Sequence, residues 1–178
     1  MVNRLDFWII DFITNISNPL LDKAMPFFSL LGDHGIFWIL LSIVFVIIKA
    51  TRKAGIITML ALLIGYVSGE VILKNIFCRL RPFMIFDFLD TIIQAPMSYS
   101  FPSGHTTSSF AAAASIALLG KKPAFCAFAL ASLIAFSRIY LSVHYLTDIL
   151  GGIALGLASA FIARWIYKKT APKLKWEL

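Results

Sequence analysis

Charge is scarce in this 178-residue chain: Asp, Glu, Lys and Arg make up 14% of it, while 60% is hydrophobic. Soluble domains carry about a quarter charged residues, so the balance excludes that class and marks an integral membrane protein. Cysteine is nearly absent, with only Cys78 and Cys126 present. The helix pattern below places them at opposite ends of the bundle, which excludes a disulfide and leaves two small packing residues. Acidic residues number nine against 16 basic ones. A basic excess suits either nucleic acid or membrane topology, and its distribution decides for topology. Ten basic residues fall at alternate ends of the apolar runs: Lys49, Arg52, Lys53; Lys121, Lys122; and Arg164, Lys168, Lys169, Lys173, Lys175. That is the positive-inside pattern of cytoplasmic loops and tails. No repeat, low-complexity stretch or cleavable-signal pattern is found, so the first span is expected to direct insertion itself.

What the chain does have is apolar length. Runs at Gly35 to Ile48, Gly55 to Ile72, Thr106 to Leu119, Pro123 to Val143 and Ile149 to Tyr167 each approach the ~20 residues needed to cross hydrocarbon. The expected fold is an all-α membrane bundle of five to six transmembrane helices forming one domain over residues 1–178. Residues 1–34 are read as interfacial N-terminal helices, 35–168 as the transmembrane core and 169–178 as a cytoplasmic tail. Leu5, Ile9, Phe12 and Ile16 recur at helical spacing between Asp6, Asp11 and Asn15, the pattern of an amphipathic helix lying on the membrane. Asn18-Pro19 turns the chain, and Leu20 to Leu31 forms a second short helix ending at Gly32-Asp33. Helix one runs from about Gly35 to Lys49, helix two from about Lys53 to Phe77, helix three starts near Ser103, helix four reaches about Val143 and helix five runs from about Leu146 to Lys168. With the basic ends inside, the long loop from Arg79 to Phe101, together with Asp33, Asp87 and Asp90, lies outside.

Three polar clusters interrupt this apolar background: KNIFCRLRP from Lys74, PSGH from Pro102, and SRIYLSVHYLTD from Ser137. Ionisable groups at membrane depth cost a few kcal/mol each, so they call for a function. The topology brings Lys74, His105, Arg138, His144 and Asp148 to one face. His144 and Asp148 stand four apart, so the carboxylate can fix the imidazole tautomer and leave the other nitrogen as a nucleophile. Alone, the same pair is equally a helix-capping arrangement. Ser103-Gly104-His105 opens a helix whose free N–H groups favour an anion, with His105 placed as a general acid. The bland alternative is an ordinary Ser103 N-cap with an incidental histidine. Lys74, Arg81 and Arg138 offer donors for phosphoryl oxygens, or serve as interfacial anchors. Glu70 lies one turn before Lys74 and is expected to pair with it, and His34 is read as an interfacial helix-start residue.

Taken together, the three clusters resemble the type 2 phosphatidic acid phosphatase family, which also embraces vanadium haloperoxidases and bacterial acid phosphatases. The chain reads Lys74, six residues, Arg81-Pro82; then Pro102-Ser103-Gly104-His105; then Ser137-Arg138, five residues, His144, three residues, Asp148. The resemblance implies attack by His144 on phosphorus to give a phosphohistidine, protonation of the leaving group by His105, and hydrolysis by water. Asp148 would orient His144, while Lys74, Arg81, Ser103, Gly104 and Arg138 hold the phosphate. Arg79 stands outside the signature. No metal or other cofactor is implied, and Asp148 is the sole carboxylate within the motifs, too few for a dinuclear site.

With the topology above, the resemblance implies a lipid phosphatase in a bacterial cytoplasmic membrane, multi-pass, with its site expected to face the periplasm or outside. Its partners are the membrane and a lipid phosphate substrate, with no nucleic acid. Undecaprenyl diphosphate, phosphatidylglycerol phosphate, phosphatidic acid and lipid A phosphate all remain candidates. A vanadate-dependent peroxidase is disfavoured by the transmembrane architecture. A phospholipid-headgroup binding or transport protein would use the same cations without needing either histidine.

Overall fold

The computed structural model describes residues 4–89 and 91–170. Asp90 and the tail beyond Thr170, with Lys173 and Lys175, lie outside the described residues. Among the described residues eight α-helices follow one another: α1 Arg4–Ile16, α2 Pro19–Gly32, α3 Ile36–Ile47, α4 Arg52–Tyr66, α5 Lys74–Phe77, α6 Gly104–Ile116, α7 Lys121–Tyr140 and α8 Leu146–Thr170. No strand occurs among the described residues.

Among the described residues, four helical stretches are long and apolar enough to cross a membrane: Pro19–Ile47, Lys49–Met84, Lys121–Tyr140 and Leu146–Thr170. The expected separate helix at Gly35 is continuous in apolar length with α2, because the break at Asp33–Gly35 is a single 3-10 turn. His34 (φ 52°) and Gly35 (φ 67°) are both left-handed there, a conformation glycine adopts freely and histidine does not. The α4 helix continues into α5 through a π-helical turn at Val67–Leu73. Such wide turns insert extra residues per turn and cluster at functional sites.

The central element is α6, too short to be one of the four spans and buried along nearly its whole length. It is built of Ala, Ser and Thr, small enough for neighbours to approach its backbone. Gly152 and Gly156 on α8 supply the other half of that seam. A Cβ at Gly156 would stand 2.6 Å from the Thr107 carbonyl oxygen, and one at Gly152 2.9 Å from that of Ser103. Small-residue seams of this kind are how helices associate where lipid removes the hydrophobic drive. Across the bundle, Trp38 Nε1 on α3 donates to Ser109 Oγ on α6 at 3.0 Å.

The N-terminal helices are docked onto the bundle as well. Tyr140 Oη, at the end of α7, donates to Asp22 Oδ1 at 2.5 Å and accepts from the Asn18 backbone N–H at 3.2 Å. On α1 the buried positions are Asp6, Ile10 and Ile13, whereas Leu5 and Phe12 are exposed. The inward stripe is thus a different one from Leu5, Ile9, Phe12 and Ile16, and it includes Asp6, drawn inward by an arginine described below. Cys78 and Cys126 are free and exposed on the bundle, where interior packing residues were expected.

Candidate active site

At one end of the bundle a cavity of about 1510 Å³ opens. Its polar wall holds Glu70, Lys74, Arg81, His105, Arg138 and His144, and its remaining walls include the apolar Leu30, Ile39, Met59 and Leu63. Residues 74 to 144 of the three clusters thus meet on one surface, as the topology predicts.

His144 lies in the turn between α7 and α8, not on a helix, and is 2% exposed. Its Nε2 faces Arg81 Nη1 at 3.2 Å, and its Nδ1 faces Asp148 Oδ2 at 3.4 Å. Burial, followed by the nearby positive charges of Arg81, Arg138 and Lys74, holds its pKa well below the ordinary histidine value. The ring therefore favours its neutral form, whose Nε2 lone pair accepts from Arg81 Nη1.

Asp148, in the first turn of α8, is fully buried and held on both oxygens. Ser100 Oγ donates to Oδ2 at 2.5 Å and the Tyr145 N–H at 2.9 Å, while Arg79 binds Oδ1 at 2.6 Å. Ser100 sits in the long loop just before the PSGH cluster. Sequence reasoning passed over it, since a lone serine in a loop carries no signal of its own.

The cations are held by different partners. Lys74, at the end of the π-helical turn, pairs with Glu70 at 2.8 Å and donates to Ser98 Oγ at 3.1 Å. The expected Glu70 pairing is present. Arg81 spans the loop, its Nε donating to the Ser98 carbonyl at 2.7 Å and its Nη1 to the Val143 carbonyl at 2.8 Å. Arg138 reaches back to Ser29 Oγ on α2, while its buried Nε has no hydrogen-bond partner among the described residues.

His105 stands on the first turn of α6, and its Nε2 lies 2.7 Å from Asp33 Oδ1, in the break after α2. Asp33 is a partner that the sequence placed only as an outer-face acid. Gly104 is needed for space: a Cβ there would come within 2.2 Å of Glu70 Oε1. Ser103 is buried and caps α6, accepting from the Thr106 N–H at 3.4 Å and from Thr106 Oγ1 at 3.0 Å. It is not among the residues lining the cavity. Arg79 does not line the cavity either, and it binds Asp6 and Asp148.

An all-helical membrane bundle with two histidines and three cations gathered on one cavity defines a membrane-embedded phosphatase. The chain belongs to the PAP2 superfamily, whose family model matches residues 52–172. It is 32% identical over 158 residues to an undecaprenyl-diphosphatase of Sulfolobus acidocaldarius, covering 88% of this chain and 75% of that protein. It is also 32% identical over 169 residues to a lipid A 4'-phosphatase of Porphyromonas gingivalis, covering 88% and 69%. The crystal structure of Aquifex aeolicus LpxE superposes with a TM-score of 0.80 at 27% identity, covering 90% of this chain and 95% of that one. The class expected from the three clusters, a membrane lipid phosphatase, is borne out by these relatives.

Proposed function

We propose that the protein removes a terminal phosphate from a lipid phosphate or diphosphate by way of a phosphohistidine on His144. The observation that carries this reading is His144 itself. Its Nε2 faces the Arg81 guanidinium at the wall of a cavity that continues into apolar surface. A headgroup phosphate at the polar wall would leave its tail along Leu30, Ile39, Met59 and Leu63.

His144 Nε2 attacks phosphorus, the bond to the leaving oxygen breaks, and His105 gives that oxygen a proton. Water then attacks phosphorus, giving a proton back to His105, and the nitrogen–phosphorus bond breaks to release phosphate. Arg138 Nε, buried without a hydrogen-bond partner among the described residues, offers a donor to one phosphoryl oxygen, and Lys74 and Arg81 neutralise the others. Asp148 stabilises the positive ring that forms on His144, and Asp33 holds the His105 ring. The Gly104 backbone lies beside the same oxygens, and Ser103 supports them through its cap of α6.

The whole chain acts as one unit in this reading. The helices α6 and α1 complete the bundle, α6 as a fifth crossing and α1 at the interface. The site faces the periplasm or outside of a bacterial cytoplasmic membrane, opposite the basic loops at Lys49 to Lys53 and Lys121 to Lys122. No metal takes part.

Detergent-solubilised His144→Ala protein, assayed for phosphate release from undecaprenyl diphosphate, phosphatidylglycerol phosphate, phosphatidic acid and lipid A, tests the assignment. Activity should vanish on every substrate, and wild-type turnover should survive chelator. Undiminished release by His144→Ala overturns the nucleophile, and loss of wild-type activity with chelator overturns the metal-free mechanism.

A further inference from the structure

The most deeply buried charge in the N-terminal helices is Asp6 on α1, which is 0% exposed. Its neighbours Phe7 and Trp8 point outward, so the helix turns a carboxylate, not an aromatic ring, into the bundle. Arg79 is the reason. The chain passes through a left-handed residue at Cys78 (φ 44°), and the next side chain inserts its guanidinium between two carboxylates. Arg79 Nη2 binds Asp6 Oδ2 at 2.6 Å, and Nη1 binds Asp148 Oδ1 at 2.6 Å. The Tyr145 ring covers the guanidinium, with its centroid 4.0 Å from Cζ. Thr147 locks the arrangement: its backbone N–H donates to Asp6 Oδ1 at 3.0 Å, and its Oγ1 accepts from Arg79 Nη1 at 2.6 Å.

The charges decide what this chain of contacts does. One guanidinium shared between two carboxylates compensates the charge of Asp148 behind His144 less than it would if Asp148 held it alone. The other ionisable groups that bear on that ring, Arg81, Arg138, Lys74 and His105, contribute only positive charge when ionised. If Arg79 faced Asp148 alone, the pair would be neutral, and the positive ring that forms on His144 during phosphoryl transfer would lose its counter-charge. Arg79 would also draw the carboxylate toward itself, away from a His144 contact that is already 3.4 Å long.

We propose that Asp6 is a positioning residue for the nucleophile: it binds the far side of Arg79 and so keeps Asp148 directed at His144. The amphipathic helix α1 is then part of the catalytic core as well as a membrane contact. This role lies outside residues 52–172, the stretch that carries the family match. The inference rests on His144 being the attacking group.

The test compares full-length Asp6→Asn, Asp148→Asn and the double variant in detergent with a lipid phosphate substrate. Outer partners of this kind typically contribute 10- to 100-fold. For Asp6→Asn we expect kcat to fall by about that factor, with KM within about threefold of the wild type. The acid limb of kcat/KM should move to lower pH, because removing negative charge behind His144 makes the ring harder to protonate. Asp6→Glu should recover part of the rate. In the Asp148→Asn background, Asp6→Asn should add almost nothing, since its effect passes through Asp148. A folded Asp6→Asn protein with wild-type kcat and pH profile overturns the proposal, as does a full multiplicative loss in the double variant. If Asp6→Asn does not fold, Thr147→Val removes the hydroxyl that joins Asp6 to Arg79 and should show the same kcat loss and pH shift in smaller measure. Wild-type behaviour of that variant also overturns the proposal. His144→Ala separates the two layers: if it is inactive while Asp6→Asn is normal, only the positioning role fails, and if it is active, the nucleophile assignment itself fails.

Discussion

Replacing Gly104 with alanine places one methyl group at the most crowded point of the site. The new Cβ would sit 2.2 Å from Glu70 Oε1, against 3.4 Å for ordinary contact, so the carboxylate has to retreat by roughly 1.2 Å. Glu70 is the free end of a flexible side chain, 30% exposed, and can make that move at little cost to stability. Lys74 cannot follow without leaving Ser98, because its Nζ is held between the two, at 2.8 Å from Glu70 and 3.1 Å from Ser98 Oγ. A misplacement of about 1 Å in a positioning group can cost about a hundredfold in rate, near 2.7 kcal/mol of transition-state energy. Gly104→Ala should therefore lose about 10- to 100-fold in kcat/KM with a nearly unchanged thermal midpoint in detergent. Glu70→Ala removes the obstructing atom. In that background Gly104→Ala should cost less than about twofold more, the signature of two residues coupled by contact. An equal loss in both backgrounds would refute the steric argument and return the role of Gly104 to its backbone.

Two further outcomes follow from the packing and the electrostatics. Gly156→Ala drives a methyl against backbone atoms of α6, which cannot step aside, so it should lower stability by about 1 to 3 kcal/mol, read as a lower thermal midpoint in detergent. A midpoint equal to wild type would mean that the α6–α8 seam is looser than its geometry indicates. Because His144 is held neutral well below the usual histidine value of about 6.5, proton uptake on it, which blocks attack, should occur only at lower pH. The acid limb of kcat/KM should then fall below about pH 6.5, and a limb at or above that value would contradict the buried, cation-flanked setting of the ring.

Much of the site was legible because its chemistry is written in residues that apolar helices otherwise avoid. Lys74, Arg81, His105, Arg138 and His144 line one cavity as the helix topology predicts, and the Glu70–Lys74 pair follows from a spacing of four residues. The supporting partners were harder to read for three physical reasons. Asp33 meets His105 only because two left-handed residues break the chain after it, and backbone handedness at a histidine has no sequence signature. Ser98 and Ser100 act from an irregular loop, where neither a 3.6- nor a 2-residue period points to a face. Asp6 reads as the polar side of an amphipathic helix, and only the position of Arg79 shows that this side faces inward. The π-helical turn before Lys74 was likewise hidden, since wide and ordinary turns share the same residues.

The link from Asp6 to Arg79 and Thr147 also bears on the order in which the chain is put together. Asp6 precedes Arg79 by 73 residues and Thr147 by 141, so its partners emerge long after it does. Until α8 has been inserted, Thr147 is not there to donate to Asp6, nor Asp148 to share Arg79 with it. The full set of contacts that seats α1 therefore forms only after α8 is in place. On the positioning role proposed for Asp6, the nucleophile is fully aligned only from that point on.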